Sequence, residues 1–121
     1  MNGKPELEFT PVEAFAWTPV DQRCPGLEER ILVEDRASGT MTRLLRFPPG
    51  ADTSALGRMI HPFWEEVYIL EGEIRDTVLG VTFSAGAYAC RPPGMAHGPW
   101  TSARGCVTFE VRYRADPTIR D

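Results

Sequence analysis

The sequence predicts an all-β protein, a sandwich or barrel of short strands, and three observations carry that prediction. Apolar segments are brief and rich in Val, Ile, Leu, Thr, Tyr and Phe, the composition of half-buried strands. Proline and glycine, 11 of each in 121 residues, interrupt the chain so often that no long helical periodicity survives between them. Turn signals also fall between the apolar segments at the spacing expected of a sandwich or barrel.

The elements follow in order. Strands are expected at Arg30–Glu34, Thr40–Phe47, Glu65–Leu70, Glu73–Val78, Ala87–Arg91 and Cys106–Tyr113. Between them lie Ala37-Ser38-Gly39, Pro48-Pro49-Gly50, Glu71-Gly72, Ser84-Ala85-Gly86, Pro92-Pro93-Gly94 and Arg104-Gly105, each a turn by residue type. Residues 1–29 show little periodicity but carry Phe9, Val12, Phe15, Trp17 and Leu27. They read as an N-terminal arm lying over an edge or apolar face, with a short helical turn around Pro11–Ala16. Residues 30–121 form the barrel domain. No repeat, low-complexity stretch or second domain is visible.

The composition, 42% hydrophobic and 25% charged, is that of a globular chain. A net charge of −4, with no basic run to neutralise phosphates, argues against nucleic acid as a partner. No apolar run approaches the roughly 20 residues that span a membrane, and the N-terminus lacks a signal-peptide core, so a cytoplasmic location is expected. Cys24, Cys90 and Cys106 are odd in number and form no CxxC pair, which points to free thiols rather than a disulfide framework.

Both histidines of the chain sit inside patterned segments. The first runs His61-Pro62-Phe63-Trp64-Glu65 and reaches Gly72 after six further spacers; the second runs from Gly86 through Pro92 and Gly94 to His97. These segments resemble, in order, the two motifs of the cupin superfamily. The lead-in from Trp17 to Asp35 is also similar to the branch that includes ChrR-like domains and diketone-cleaving dioxygenases. The resemblance implies a double-stranded β-helix, or jelly-roll barrel, with His61, Glu65 and His97 as metal ligands. Two imidazoles and one carboxylate converging from different strands would leave open coordination positions, and Fe(II), Zn(II), Mn(II) and Ni(II) all suit those ligand types.

The pattern departs from the family at Met59, where a second histidine is usual. A thioether is a soft ligand and a poor substitute for imidazole on these metals. The usual upstream glycine is also missing, so Gly50–Arg58 reads as an extended loop available as a lid or pocket wall. Three readings of the His61, Glu65 and His97 set therefore stay open: a metal site, a metal-free substrate pocket, and a cupin whose polar residues are relics.

Strand parity adds further candidates. His61, Glu65, Val67 and Ile69 would share the inner face, which leaves Glu66, Tyr68 and Leu70 outside. In Cys106–Tyr113 the apolar set Val107, Phe109, Val111 and Tyr113 would ordinarily take the core; were the other face inside, Thr108, Glu110 and Arg112 would line the barrel. Glu110 and Arg46 are the candidate catalytic groups, for proton transfer and for holding an enolate or carboxylate, and a buried Arg46 would pair with Glu110. Phe63, Trp64, Tyr88 and Trp100 bracket the motifs; packing accounts for any one of them, and as a group they also suit a mouth for a flat or apolar molecule.

The leading expectation is a metal-dependent small-molecule enzyme, a dioxygenase, lyase or isomerase acting on an enolisable or aromatic substrate. The opposing one is a non-catalytic ligand- or metal-sensing module. An outward Tyr68 and Leu70, with few apolar residues in the arm to cover them, lead us to expect a homodimer.

Overall fold

The computed structural model describes residues 3–114, and it is built almost entirely from strands. They are β1 (Thr18–Pro19), β2 (Glu28–Asp35), β3 (Thr40–Phe47), β4 (Ala51–Asp52), β5 (Trp64–Asp76), β6 (Val81–Ser84), β7 (Tyr88–Arg91), β8 (Trp100–Ser102) and β9 (Cys106–Tyr113). Two short 3-10 turns, at Val12–Ala14 and Ser54–Leu56, complete the regular structure of the described residues. No helix among them is long and apolar enough to cross a membrane.

Hydrogen bonding runs β1-β2-β3-β9-β5-β8-β4, with β6 and β7 also paired to β5. Every pairing is antiparallel. The hairpin turns are made by aspartates, as short acceptor side chains allow. Asp35 accepts from the Ser38 hydroxyl at 2.7 Å, and Gly39 takes positive φ to close the β2–β3 turn. Asp76 accepts the backbone N–H groups of Val78 and Leu79 at 2.9 and 3.0 Å and closes β5–β6 in the same way.

The segment Glu71-Gly72, expected to be a turn between two strands, instead lies inside the 13-residue strand β5. The register with β9 slips between Ile69 and Glu71, which makes a bulge rather than a reversal. Gly72 is needed there because a Cβ would lie 2.0 Å from the Gly105 carbonyl oxygen. The bend lets the two halves of one strand serve different partners: the first half pairs with β7 and the second with β6 and β8. Strands β1, β4, β6 and β8 are too short or too polar to have been expected from the sequence, and β4 and β8 pair only with strands distant along the chain.

Residues 18–29, assigned to the arm on sequence, contribute β1, the start of β2, and Cys24 and Leu27 to the apolar core. That core adds Leu45, Phe47, Ile69, Ile74 and Cys106. All three cysteines are free, Cys24 and Cys106 buried and Cys90 exposed. Burial pushes the Cys106 thiol up to about 12, so it is inert at neutral pH.

Strand β9 corrects the ordinary assignment of its faces. Thr108 and Glu110 are buried and, with Arg112, point into the sheet's concave side, whereas Phe109 faces out. The physical reason lies on the neighbouring strand. Arg43 of β3 stands opposite Glu110 and binds it, so the charged face is paired before it is buried.

Candidate functional site

The concave face of the sheet encloses a cavity of about 610 Å³, the size of a small-molecule site. Cross-strand register sorts its walls into rows. The outermost row places Glu34, Met41, Arg112, Glu65 and Arg91 side by side across β2, β3, β9, β5 and β7. The next row is Ile31, Arg43, Glu110, Val67 and Ala89. Below it lie Glu29, Leu45, Thr108 and Ile69, and then an apolar floor that includes Leu27, Phe47 and Ile74. Val67 and Ile69 face inward, as their shared parity with Glu65 requires.

The two histidines enter from loops at the outer row. His61 precedes β5, and His97 follows the turn after β7; Met59 and His97 exchange backbone hydrogen bonds at 2.7 and 3.0 Å. Gly94 N–H donates to the His61 carbonyl at 2.9 Å, so the two motif loops are sewn together. Arg58 straps the second loop, donating to the carbonyls of Gly98 and Ala96 at 2.8 and 3.1 Å. The imidazole centroids lie 5.0 Å apart, and His61 stacks on Phe63 at 4.6 Å.

One ligand atom from each of His61, Glu65 and His97 falls within 4.8 Å of the others. Ligands about 2.1 Å from a common ion sit no more than roughly 4.2 Å apart, so the set needs only a small adjustment to hold one. Burial, with Arg91 adding to it, lowers His97 to about 4, and burial lowers His61 as well; both rings are therefore neutral and have a lone pair to give. The His97 Nδ1 lies 3.4 Å from the Met95 carbonyl, which leaves Nε2 directed at Glu65 Oε1 at 3.8 Å. Glu65 is ionised: burial pushes its carboxyl up, but Arg112 and then Arg91 outweigh that and hold it below its ordinary value. On donor chemistry the cluster fits a divalent metal.

Arg91 and Arg112 grip that same carboxylate. Arg91 Nη1 donates to Glu65 Oε1 at 2.9 Å and Arg112 Nε to Oε2 at 3.1 Å. A carboxylate has about four lone-pair positions, so each oxygen retains capacity beyond its arginine. In the row beneath, Arg43 contacts Glu110 Oε1 at 2.8–2.9 Å and Glu29 Oε1 at 2.6 Å, and Thr108 donates to Glu110 Oε2 at 2.9 Å.

The structure thus brings His61, Glu65, His97 and Glu110 to one cavity and leaves Arg46 outside it. Arg46 has the opposite parity to Arg43. It binds Glu28 at 2.5 Å and lies 4.0 Å from the Trp17 ring on the outer face. The expected Arg46–Glu110 pair does not form; Arg43 takes that place. Arg43 and Arg91 carry a signal that sequence reading passed over. Each is the lone charge at the parity of small or apolar neighbours, Met41 and Leu45 in one case and Ala87 and Ala89 in the other.

Met59 contributes to the cavity wall beside His97. So do Thr53, Leu56 and Arg58 from the extended loop, which is tied to β8 by reciprocal Thr53–Trp100 hydrogen bonds of 2.8 Å. Of the bracketing aromatics, Phe63 and Trp100 stand beside the histidines, at 4.6 Å from His61 and 6.3 Å from His97. Trp64 stacks on Tyr113, and Tyr88 donates to Glu66 at 2.5 Å on the outer face.

This architecture, a curled antiparallel sheet with histidine-bearing loops at one end of its cavity, is a jelly-roll barrel of the cupin class. The chain belongs to the ChrR cupin-like domain family, whose model matches residues 6–114. Among solved structures, an RmlC-like cupin from Shewanella frigidimarina superposes with a TM-score of 0.71 at 22% identity, covering 93% of this chain and 95% of that one. An acetylacetone dioxygenase from Acinetobacter johnsonii gives 0.72 at 16% identity, covering 90% and 74%. The anti-sigma factor ChrR of Rhodobacter sphaeroides, solved in complex with SigE, gives 0.60 at 20% identity; the match covers 84% of this chain and about half, 51%, of the other. No curated protein matches the chain.

Proposed function

We propose that this chain is a metal-dependent small-molecule cupin enzyme, a dioxygenase or a lyase or isomerase, acting on an enolisable or aromatic substrate. The observation that carries the reading is the convergence of His61, Glu65 and His97 within 4.8 Å at one end of a cavity of about 610 Å³. A divalent ion held there would act as a Lewis acid and stabilise negative charge developing on a bound oxygen. The chain's own residues do the rest. Arg91 and Arg112 keep Glu65 ionised and aimed. Glu110, fixed by Arg43 and Thr108, sits one row deeper with an acceptor oxygen for a substrate proton. The apolar floor excludes water from the far end.

A sensor role is the second reading, and the family match favours it, since the ChrR neighbour was solved with a protein partner. Metal content of freshly purified protein, followed by oxygen consumption with β-diketones and hydroxy-aromatic ketones, separates the two. One ion per chain with substrate-dependent oxygen uptake supports the dioxygenase. Product formation without oxygen uptake supports the lyase or isomerase, and bound metal without turnover supports the sensor. Absence of metal overturns the metal site.

A further inference from the structure

Around Glu65 two guanidinium groups meet one carboxylate, while Glu34, the other carboxylate of the outer row, stands beyond Met41 on β2 and pairs with Arg36. Arg91 and Arg112 bring two guanidinium groups to the single carboxylate of Glu65. Each guanidinium has five N–H donors, and each uses one on Glu65, so donors remain at the cavity wall. Deeper in the cavity a single Arg43 stands between two carboxylates, Glu110 of its own row and Glu29 of the next. Rows are two residues apart along a strand, about 6.7 Å. Beside Glu29 the wall turns apolar at Leu45 and Ile69, and beyond it at Phe47 and Ile74.

We infer that the ligand of this cavity is an organic anion with a hydrogen-bond donor on its far side, of the hydroxy-aryl carboxylate or enolate class. Arg91 and Arg112 take the anionic head, Glu110 and Glu29 accept from the donor, and the flat body lies against the apolar wall. Guanidinium forks suit such a head because they pair with two oxygens at once. The inference rests on the small-molecule reading of the cavity but not on the metal: the donors that would hold the anion belong to the arginines.

The test is isothermal titration calorimetry with benzoate, 4-hydroxybenzoate and the neutral 4-hydroxybenzamide, on chelator-stripped protein and on protein reloaded with Fe(II) without oxygen. Metal affinity is measured separately. In both preparations 4-hydroxybenzoate should bind at least roughly tenfold more tightly than the amide, and more tightly than benzoate. Arg91→Gln and Arg112→Gln should each shrink the preference for the anion. Equal affinity of acid and amide in wild-type protein, or binding of none of the three, overturns the proposal. So does an anion preference seen only after metal loading, because the ion rather than the arginines would then be reading the charge. Anion preference in a protein that binds no metal leaves this inference standing and removes only the metal-dependent function.

Discussion

Glu65 and Arg91 stand opposite each other in the β5–β7 pairing, and Arg91 Nη1 donates to Glu65 Oε1 at 2.9 Å. A candidate metal ligand is therefore already an ion-pair partner, and it is shared with Arg112 on the other neighbouring strand. Orientation of the carboxylate comes from the sheet register, while the histidines arrive on loops. Removal of a histidine should thus disturb the site and spare the fold.

His61→Ala and His97→Ala are each expected to lose bound metal while keeping the β-rich circular dichroism of the parent. Full occupancy in both variants, read by elemental analysis, would show that the cluster is not the metal centre. Met59→His is expected to tighten binding by roughly tenfold or more, since residue 59 lines the cavity and its backbone pairs with His97. Unchanged affinity would mean that side chain 59 turns away from the ligands.

Arg43→Met should destabilise the protein by about 3–5 kcal/mol, because it strands Glu110 and Glu29 without their partner. Urea unfolding measures the loss. The double variant Arg43→Met with Glu110→Gln should recover part of it by removing one orphaned charge. A double variant no more stable than the single would show that packing of the arginine stem dominates.

Stability of metal-stripped protein should fall as pH drops below neutrality. His97 titrates near 4 in the fold against 6.5 when free, so between those values the unfolded chain binds the proton that the folded one refuses. The native state is then favoured most above about 6.5 and loses ground toward 4. Glu65 adds a loss of the same sign at lower pH, since its carboxyl is held below its free value. Urea midpoints at about pH 7.5 and pH 5 test the direction, and His97→Asn should flatten the slope. A midpoint that rises on acidification contradicts the assignment.

The outer face of the sheet should make a homodimer, with light scattering giving about twice the 13.5 kDa of one chain. Tyr68 and Leu70 are 44% and 43% exposed there, next to Phe109 and Tyr88. Leu70→Glu should yield monomer if this face forms the contact. Deleting residues 1–16 tests the arm. Monomer or aggregate would show that it helps to form the interface; a stable dimer would show that the sheet faces suffice.

Much of the site was legible because its signals are local. His61, Glu65 and His97 are marked by fixed spacings, and the outward course of Glu66, Tyr68 and Leu70 follows from a two-residue period. Arg46 was misplaced for a different reason. A one-residue difference in parity decides which arginine of β3 faces Glu110, and that parity can be read only once the inner face of the strand is known.

The sequence by itself determined the all-β class, the order of its main strands and the loops that carry the two imidazoles, since turn residues and short-range patterns act within a few residues. Tertiary structure alone decided the faces of β9, the continuity of β5 through Gly72 and the charge rows of the cavity. Each depends on atoms far apart in the chain: the Gly105 carbonyl against Gly72, Arg43 against Glu110, and Arg91 with Arg112 against Glu65. A charged strand face reads as solvent-exposed until its partner on the next strand is known, because only the pairing removes the cost of burying it.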